Sequence, residues 1–313
     1  MGFLATWFKS SNQKETTSVT KDLVFTDTTN YYYEPKENHD QKDQRDWLSE
    51  KPLYHFNKDT FKDRFDYPIN KELGVYRIIA LGDSNTEGKF IDTDKSFPEQ
   101  LEDLLNAQSC QQINKFEVIN LGVSGYDLQY SLERYKKRGV KYEPDLVLWY
   151  ISGPSFHKIL DKIYPKTIEY RKEMELSGEL KQQEKKGDFY PFETKAQKEF
   201  NLLYSTEQRN NYQKAVLKKF VEIYSGKLIF LTVGKLDPTK FPPELAMNLD
   251  QDYKNILKDF TKSNPQVYFH DDLPTLENYN QRLIDLHPNA EGYRLFAESI
   301  FNYLKDHDFI SCK

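Results

Sequence analysis

Val75-Tyr-Arg-Ile-Ile-Ala-Leu-Gly-Asp-Ser-Asn-Thr-Glu-Gly88 is the stretch on which the reading of this chain turns. Val75, Ile78, Ile79, Ala80 and Leu81 form an apolar run with the length and β-branched content of a buried strand. The run stops at Gly82-Asp83-Ser84, and a helical pattern starts near Phe97. A strand that ends at glycine and turns toward a helix leaves the next hydroxyl, Ser84, at the strand's carboxyl end. In open α/β sheets that is where ligands bind. Backbone N–H groups and a helix N-terminus beside Ser84 favour a developing negative charge. The same turn is also compatible with Asp83 and Ser84 acting only as helix caps.

Working outward, the pattern repeats. Phe116–Leu121 reads as a second buried strand, Asp145–Ile151 as a third, Lys227–Val233 as a fourth and Gln266–Phe269 as a short fifth. Helical patterns fall between and after them, at 97–108, 128–138, 195–224, 244–261 and 289–305. In the last of these, Tyr293, Phe296, Ala297, Ile300, Phe301 and Leu304 make the stripe of a packed helix. Strands alternating with helices imply a parallel sheet covered on both faces, an α/β class fold.

Two regions depart from the alternation. Residues 9–50 are rich in Lys, Asp, Asn, Gln and Thr, with a short apolar patch at Leu23-Val24-Phe25 and a tyrosine run at Tyr31-Tyr32-Tyr33. They read as an irregular polar extension, so the chain divides into 1–70, packed on the body, and 71–313, the body itself. Within the body, 156–200 is a Lys-, Glu- and Gln-rich insertion directly after the third strand. It reads as a solvated helical excursion or, since it leaves from the sheet's carboxyl edge, as a lid over the site.

Composition narrows the classes. The chain has 313 residues, 38% hydrophobic, 30% charged and 15% aromatic, which makes it polar but globular. A net charge of −5 leaves no basic footprint, so no nucleic-acid partner is expected. Cys110 and Cys312 make no framework and read as unpaired thiols. No window reaches the ~18 apolar residues of a membrane span. Gly2–Phe8 is apolar but too short, lacks the marks of a signal peptide, and carries only a chance myristoylation pattern. The expected setting is soluble and cytoplasmic by default, or periplasmic or membrane-tethered if this start is the remnant of a trimmed anchor. No Cys-rich spacing and no phosphate-binding glycine loop appears, so nothing signals a structural zinc or a nucleotide. His270-Asp271-Asp272 has metal-ligating residue types, but neighbours in one loop do not easily face one ion, and the triplet reads as a solvated strand end.

Three pieces of the sequence together resemble a known family. Gly82-Asp83-Ser84-Asn85-Thr86-Glu87-Gly88 is similar to the first block of the SGNH (GDSL-type) hydrolases, which places a serine nucleophile in Gly-Asp-Ser. Asn120-Leu-Gly-Val-Ser-Gly-Tyr126 resembles the second block, and Leu283-Ile-Asp-Leu-His-Pro-Asn-Ala-Glu-Gly-Tyr293 the last. Residues 54–70 resemble the lead-in of many bacterial members. The resemblance covers roughly 70–310. It implies a three-layer α/β/α sandwich with a five-stranded parallel sheet in flavodoxin-like order, and ester hydrolysis through an acyl-enzyme. It implies Ser84 as nucleophile, His287 as general base and then acid, Asp285 as orienter, and the N–H groups of Ser84 and Gly125 as oxyanion donors. No metal or organic cofactor is implied, and the partner is a small-molecule or glycan ester. The family's commonest form has two residues between Asp and His, whereas this chain has one.

One block departs further. After the third strand the family usually carries an Asn whose amide is a third oxyanion donor. Here the chain reads Ile151-Ser152-Gly153-Pro154-Ser155-Phe156-His157, and Pro lacks even a backbone N–H. Either the hole has two donors, or Ser155, Ser152 or Asn85 supplies the third; His157 is a further candidate for lining the site. Two alternatives stay open on the sequence: an O-acyltransferase that moves an acyl group onto a glycan with the same triad, and a binding module with a decayed site.

Overall fold

A computed structural model describes residues 22–110, 112–185, 191–235, 252–276, 281, 283, 287–310 and 312. Its centre is a five-stranded parallel sheet. The chain first forms a two-stranded antiparallel ribbon, β1 (His39–Lys42), inside the region 9–50 read as irregular, and β2 (Leu53–Phe56), just after it. The main sheet follows as β3 (Val75–Leu81), β4 (Lys115–Asn120), β5 (Leu146–Tyr150), β6 (Lys227–Val233) and β7 (Val267–Leu273). Its spatial order is β4-β3-β5-β6-β7. The first strand of the sheet therefore has the second and third on its two sides, which is the flavodoxin-like order. The topological switch lies beside β3, at whose carboxyl end stand Asp83 and Ser84.

The apolar strands feed two cores because successive side chains point to opposite faces. From β3, Ile79 and Leu81 join Ile119, Val147, Trp149 and Phe230 on one face, covered by α3 (Leu128–Arg134), α8 (Thr206–Ile223) and α9 (Tyr253–Lys262). Ile78 and Ala80 join Val118, Leu148, Ile229 and Leu231 on the other, under α2 (Phe97–Asn106) and α10 (Ala290–Asp306). Phe61 and Tyr67, from before the sheet, are buried in the first of these cores.

The sheet also buries an ion pair. Arg77 on β3 is fully buried, and its guanidinium meets the Glu117 carboxylate of β4 at 2.7 Å. It also donates to the carbonyls of Pro68, Ile69 and Tyr142, so the buried cation is hydrogen-bonded on every side that the strands leave open. The contacts to Pro68 and Ile69 fasten the segment that leads into β3.

Several expectations change. Residues 195–224 are not one helix: α7 (Pro191–Leu203) stops, and α8 starts behind Ser205. The Ser205 hydroxyl accepts from Gln208 N–H while the Gln208 side chain accepts from Ser205 N–H, a reciprocal cap that restarts the helix. The insertion is helical, with α5 (Leu160–Ser177), α6 (Glu179–Lys185) and α7; α5 and α7 bury Leu160, Ile163, Ala196 and Phe200 in the core. The fifth strand runs on through His270-Asp271-Asp272. His270 is buried against Tyr303, with its Nε2 3.0 Å from Ser299 Oγ, and only the two aspartates are exposed. Cys110 and Cys312 are not unpaired thiols but form a disulfide that joins the segment after α2 to the segment after α10. The apolar start at Gly2–Phe8, residues 244–251 of the fourth predicted interval and Asp285 lie outside the described residues. Among the described residues no helix is long and apolar enough to cross a membrane.

Candidate active site

Ser84 opens α1 (Ser84–Glu87), one turn of helix directly after β3. Asp83 is its N-cap, accepting from Asn85 N–H at 2.9 Å. Its other carboxylate oxygen accepts from Ser152 Oγ at 2.6 Å, which ties the serine turn after β3 to the turn after β5. The Ser84 side chain is thereby held above the sheet between two strand ends.

His287 reaches the same point from the far end of the sequence. Its Nε2 lies 2.8 Å from Ser84 Oγ, although 203 residues separate the two. The imidazole stands edge-on to Phe90, with ring centroids 5.3 Å apart and planes at 90°. Phe90 is itself buttressed edge-on by Trp47 and lies under the Arg45 guanidinium. Around His287 the backbone is closed by Leu283 N–H to His287 O at 2.7 Å and Asn289 N–H to Gln281 O at 3.2 Å. Asn289 then caps α10 by accepting from Gly292 N–H. Tyr293 of α10 points back, its hydroxyl 3.5 Å from Ser84 O.

The loop after β4 supplies the third wall. Gly122 passes so close to α1 that an added Cβ would fall 2.2 Å from Glu87 N, so only glycine lets the two turns meet. Asn120 stabilises this approach by accepting from Gly122 N–H at 3.0 Å. At Gly125 the backbone has φ +86°, and Tyr126 N–H closes onto Val123 O at 3.2 Å. A positive φ at the third position of such a turn is the type II arrangement, which glycine adopts without cost. Ser124 hydrogen-bonds to the Glu87 carboxylate of α1, locking the loop to the serine turn.

The turn after β5 shows what stands in the place of the missing Asn. Ser152 and Ser155 form a reciprocal capping box at the start of α4 (Gly153–His157): Ser155 N–H donates to Ser152 Oγ at 3.1 Å, and Ser152 N–H to Ser155 Oγ at 2.9 Å. Ser155 Oγ donates onward to Ser152 O, and Ser152 Oγ to Asp83. One hydroxyl proton is therefore committed within the turn and the other to Asp83. Asn85 places one amide N–H on Asp83 Oδ1 at 3.1 Å. Pro154 is exposed, Gly153 is buried, and His157 ends α4 packed on Phe156 and Tyr253. Among the described residues no cluster of three or more His, Cys, Asp or Glu is placed to hold a metal ion.

Sequence reasoning passed over three contributors: the Asp83–Ser152 link, Phe90 against His287, and Tyr33, whose hydroxyl donates to Ser124 O at 2.8 Å. The last was visible only as part of a tyrosine run, which carries no periodicity.

No family model matches the chain, and no curated protein sequence matches it. Solved structures do resemble it. A lipase/acylhydrolase from Enterococcus faecalis is 16% identical with a TM-score of 0.46, covering 76% of this chain and 97% of its own. A member of the lipolytic G-D-S-L family from Veillonella parvula is 17% identical with a TM-score of 0.43, covering 74% and 98%. A catalytic mutant of an acetylxylan esterase from Geobacillus stearothermophilus is 15% identical with a TM-score of 0.44, covering 74% and 93%. Likenesses this distant do not transfer one protein's chemistry to another, and the reading below rests on this chain's own residues.

Proposed function

We propose that this chain is a serine ester hydrolase that works through an acyl-enzyme, with a small-molecule or glycan ester as substrate. The observation that carries the proposal is the 2.8 Å contact between His287 Nε2 and Ser84 Oγ at the carboxyl end of β3. A nucleophile and its base within hydrogen-bond reach are the core of a nucleophilic site. The contact also favours this reading over a binding module with a decayed site.

In this mechanism Ser84 Oγ bonds to the ester carbonyl carbon while its proton passes to His287 Nε2. The carbonyl electrons move onto oxygen, and the backbone N–H groups of Ser84 and Gly125 receive that charge. Collapse restores the carbonyl, breaks the bond to the alcohol, and returns the proton from His287 to the departing oxygen. A water, deprotonated by His287, attacks the acyl-Ser84 in the same manner, and the acid leaves as Ser84 regains its proton. Asp285, outside the described residues, is proposed to hold the imidazole in the required tautomer. The turn at Ser152–Ser155 offers no amide for a third donor. Since one donor is typically worth ~10²–10³ in kcat, turnover of generic esters is expected to be slow.

The test is turnover of a short aryl ester and labelling by a fluorophosphonate. Ser84→Ala is expected to abolish labelling and lower kcat by at least about 10³, with the thermal unfolding curve unmoved. His287→Ala is expected to lose turnover to a similar degree. Undiminished activity in Ser84→Ala overturns the proposal.

A further inference from the structure

Tyr33 belongs to the polar segment before the sheet, more than forty residues ahead of β3, yet it stands on the loop after β4. Its hydroxyl donates to Ser124 O at 2.8 Å and lies 2.9 Å from where a Cβ of Gly125 would be. The segment around it is fastened at three points. Asp161 of α5 accepts from Asn30 N–H at 2.6 Å, from the Asn30 amide at 2.8 Å and from Tyr31 N–H at 3.0 Å. Glu34 is held by Arg134 at 2.9 Å and Arg138 at 2.6 Å. Between these anchors the Tyr126 hydroxyl bonds to Tyr33 O, and the Tyr33 ring stands edge-on to Tyr126 and Tyr130 at centroid distances of 5.3 and 5.9 Å. A segment without helix or strand is thus held at both ends with one phenol aimed at a single carbonyl.

That carbonyl has a defined partner. Ser124 C=O and Gly125 N–H belong to one planar trans peptide unit, so they point in opposite directions. In the turn Val123–Tyr126 this central unit is the one whose orientation distinguishes type II from type I. The two turns keep the same ends and differ by a flip of that peptide, which would carry the Gly125 N–H from one side of the loop to the other. Fixing the Ser124 oxygen therefore fixes where the Gly125 N–H points. A hydrogen bond on the carbonyl side also polarises the N–H at the other end of the same unit.

We propose that Tyr33 is a positioning residue for the oxyanion hole: its hydroxyl holds the Ser124–Gly125 peptide so that the Gly125 N–H faces the substrate's carbonyl oxygen. The inference rests on the ester-hydrolase reading above and adds the N-terminal segment to it. It gives that segment a chemical task, which is to steady one donor in a hole whose third donor is missing from the sequence. Tyr33 does not touch the reacting atoms; it acts through Gly125.

The experiment is Tyr33→Phe, which removes one O–H and keeps the ring contacts with Tyr126 and Tyr130. On a short aryl ester kcat is expected to fall about tenfold, the weight of one hydrogen bond of ordinary net strength, with KM within twofold of the wild type. Binding of a short alkyl boronic acid, which forms a tetrahedral adduct on the serine, is expected to weaken by the same factor, while the thermal midpoint and the shape of the pH profile stay put. A structural role alone would move the midpoint and leave the boronate and kcat effects unmatched. A Tyr33→Phe enzyme with kcat within twofold of wild type overturns the inference. So does a loss that appears in KM with boronate affinity unchanged. If the wild-type enzyme neither turns over esters nor reacts with the fluorophosphonate, the ester-hydrolase reading falls and this inference with it. Activity in the wild type matched by Tyr33→Phe removes only the role of Tyr33.

Discussion

Glu102→Gln is a perturbation whose sign depends on pH and follows from burial. Glu102 lies on α2, 3% exposed, and its Oε2 accepts from Val118 N–H at 2.7 Å and from the Tyr67 hydroxyl at 3.0 Å. Two more buried carboxyls, Asp63 and Glu99, lie close by; Arg64 is ion-paired with Glu99. Burial, reinforced by the negative charge of Glu99, pushes the Glu102 carboxyl up to about 7 from its ordinary 4.5, against the lowering effect of its hydrogen bonds. Between those values the folded protein holds a proton that the unfolded chain has released. Stability is therefore lost as pH rises through this window. For one group with these two values, the loss from pH 5 to pH 8 is about 2–3 kcal/mol. Gln cannot titrate, so the variant lacks this component. It keeps an acceptor for Val118 N–H but brings an NH₂ that needs partners, a cost of about 1–3 kcal/mol that is the same at both pH values. Urea unfolding of both proteins at pH 5 and pH 8 separates the two effects. The variant is expected to be less stable than wild type at pH 5 and to close the gap by about 2–3 kcal/mol at pH 8. Parallel stability curves for the two proteins would refute the reasoning, because they would mean that Glu102 is already ionised at the lower pH.

Three further substitutions test other parts of the frame. Glu117→Ala leaves the fully buried Arg77 cation without its carboxylate and is expected to cost about 3–5 kcal/mol in chemical denaturation, with any loss of activity tracking the loss of folded protein. Ser155→Asn removes the Oγ that accepts from Ser152 N–H, while the Ser155 N–H can still cap on Ser152 Oγ, and is expected to cost about 1 kcal/mol. Pro154→Asn, from an exposed position with no N–H to lose, is expected to leave the melting curve in place.

The sheet was legible because its strands are buried on both faces and read as unbroken apolar runs. The first four strands fall within a residue or so of their predicted limits at each end. The fifth was cut short at Phe269, since hydropathy drops at His270-Asp271-Asp272 while the backbone ladder to β6 continues as far as Leu273 opposite Val233. Hydrophobic period alone also fused α7 with α8. The stop was written in polar residues, Ser205 and Gln208 at capping-box spacing, which a search for apolar stripes passes over. The pairing of Cys110 with Cys312 spans 202 residues and depends on where α2 and the end of α10 meet, which no local pattern encodes.

The candidate site divides along the same line. Ser84 and Gly125 could be picked out because each sits in a turn marked in its own sequence: a strand stopping at Gly-Asp-Ser, and a glycine where φ is positive. His287 was legible from its block, and the fold brings its Nε2 to Ser84 Oγ. What holds these groups in place was not legible, because it comes from elsewhere in the chain. Asp83 is steadied by Ser152 from the turn after β5, the imidazole by Phe90 with Trp47 behind it, and Ser124 by Glu87 on one side and Tyr33 on the other. Such contacts join residues dozens of positions apart and carry no period or spacing of their own. In the proposed site, the donor that depends on a remote contact is the one at which a single hydroxyl, that of Tyr33, is expected to make a measurable difference. The Ser124–Gly125 peptide can flip without moving the ends of its turn, so the loop's own sequence permits the productive orientation but does not enforce it.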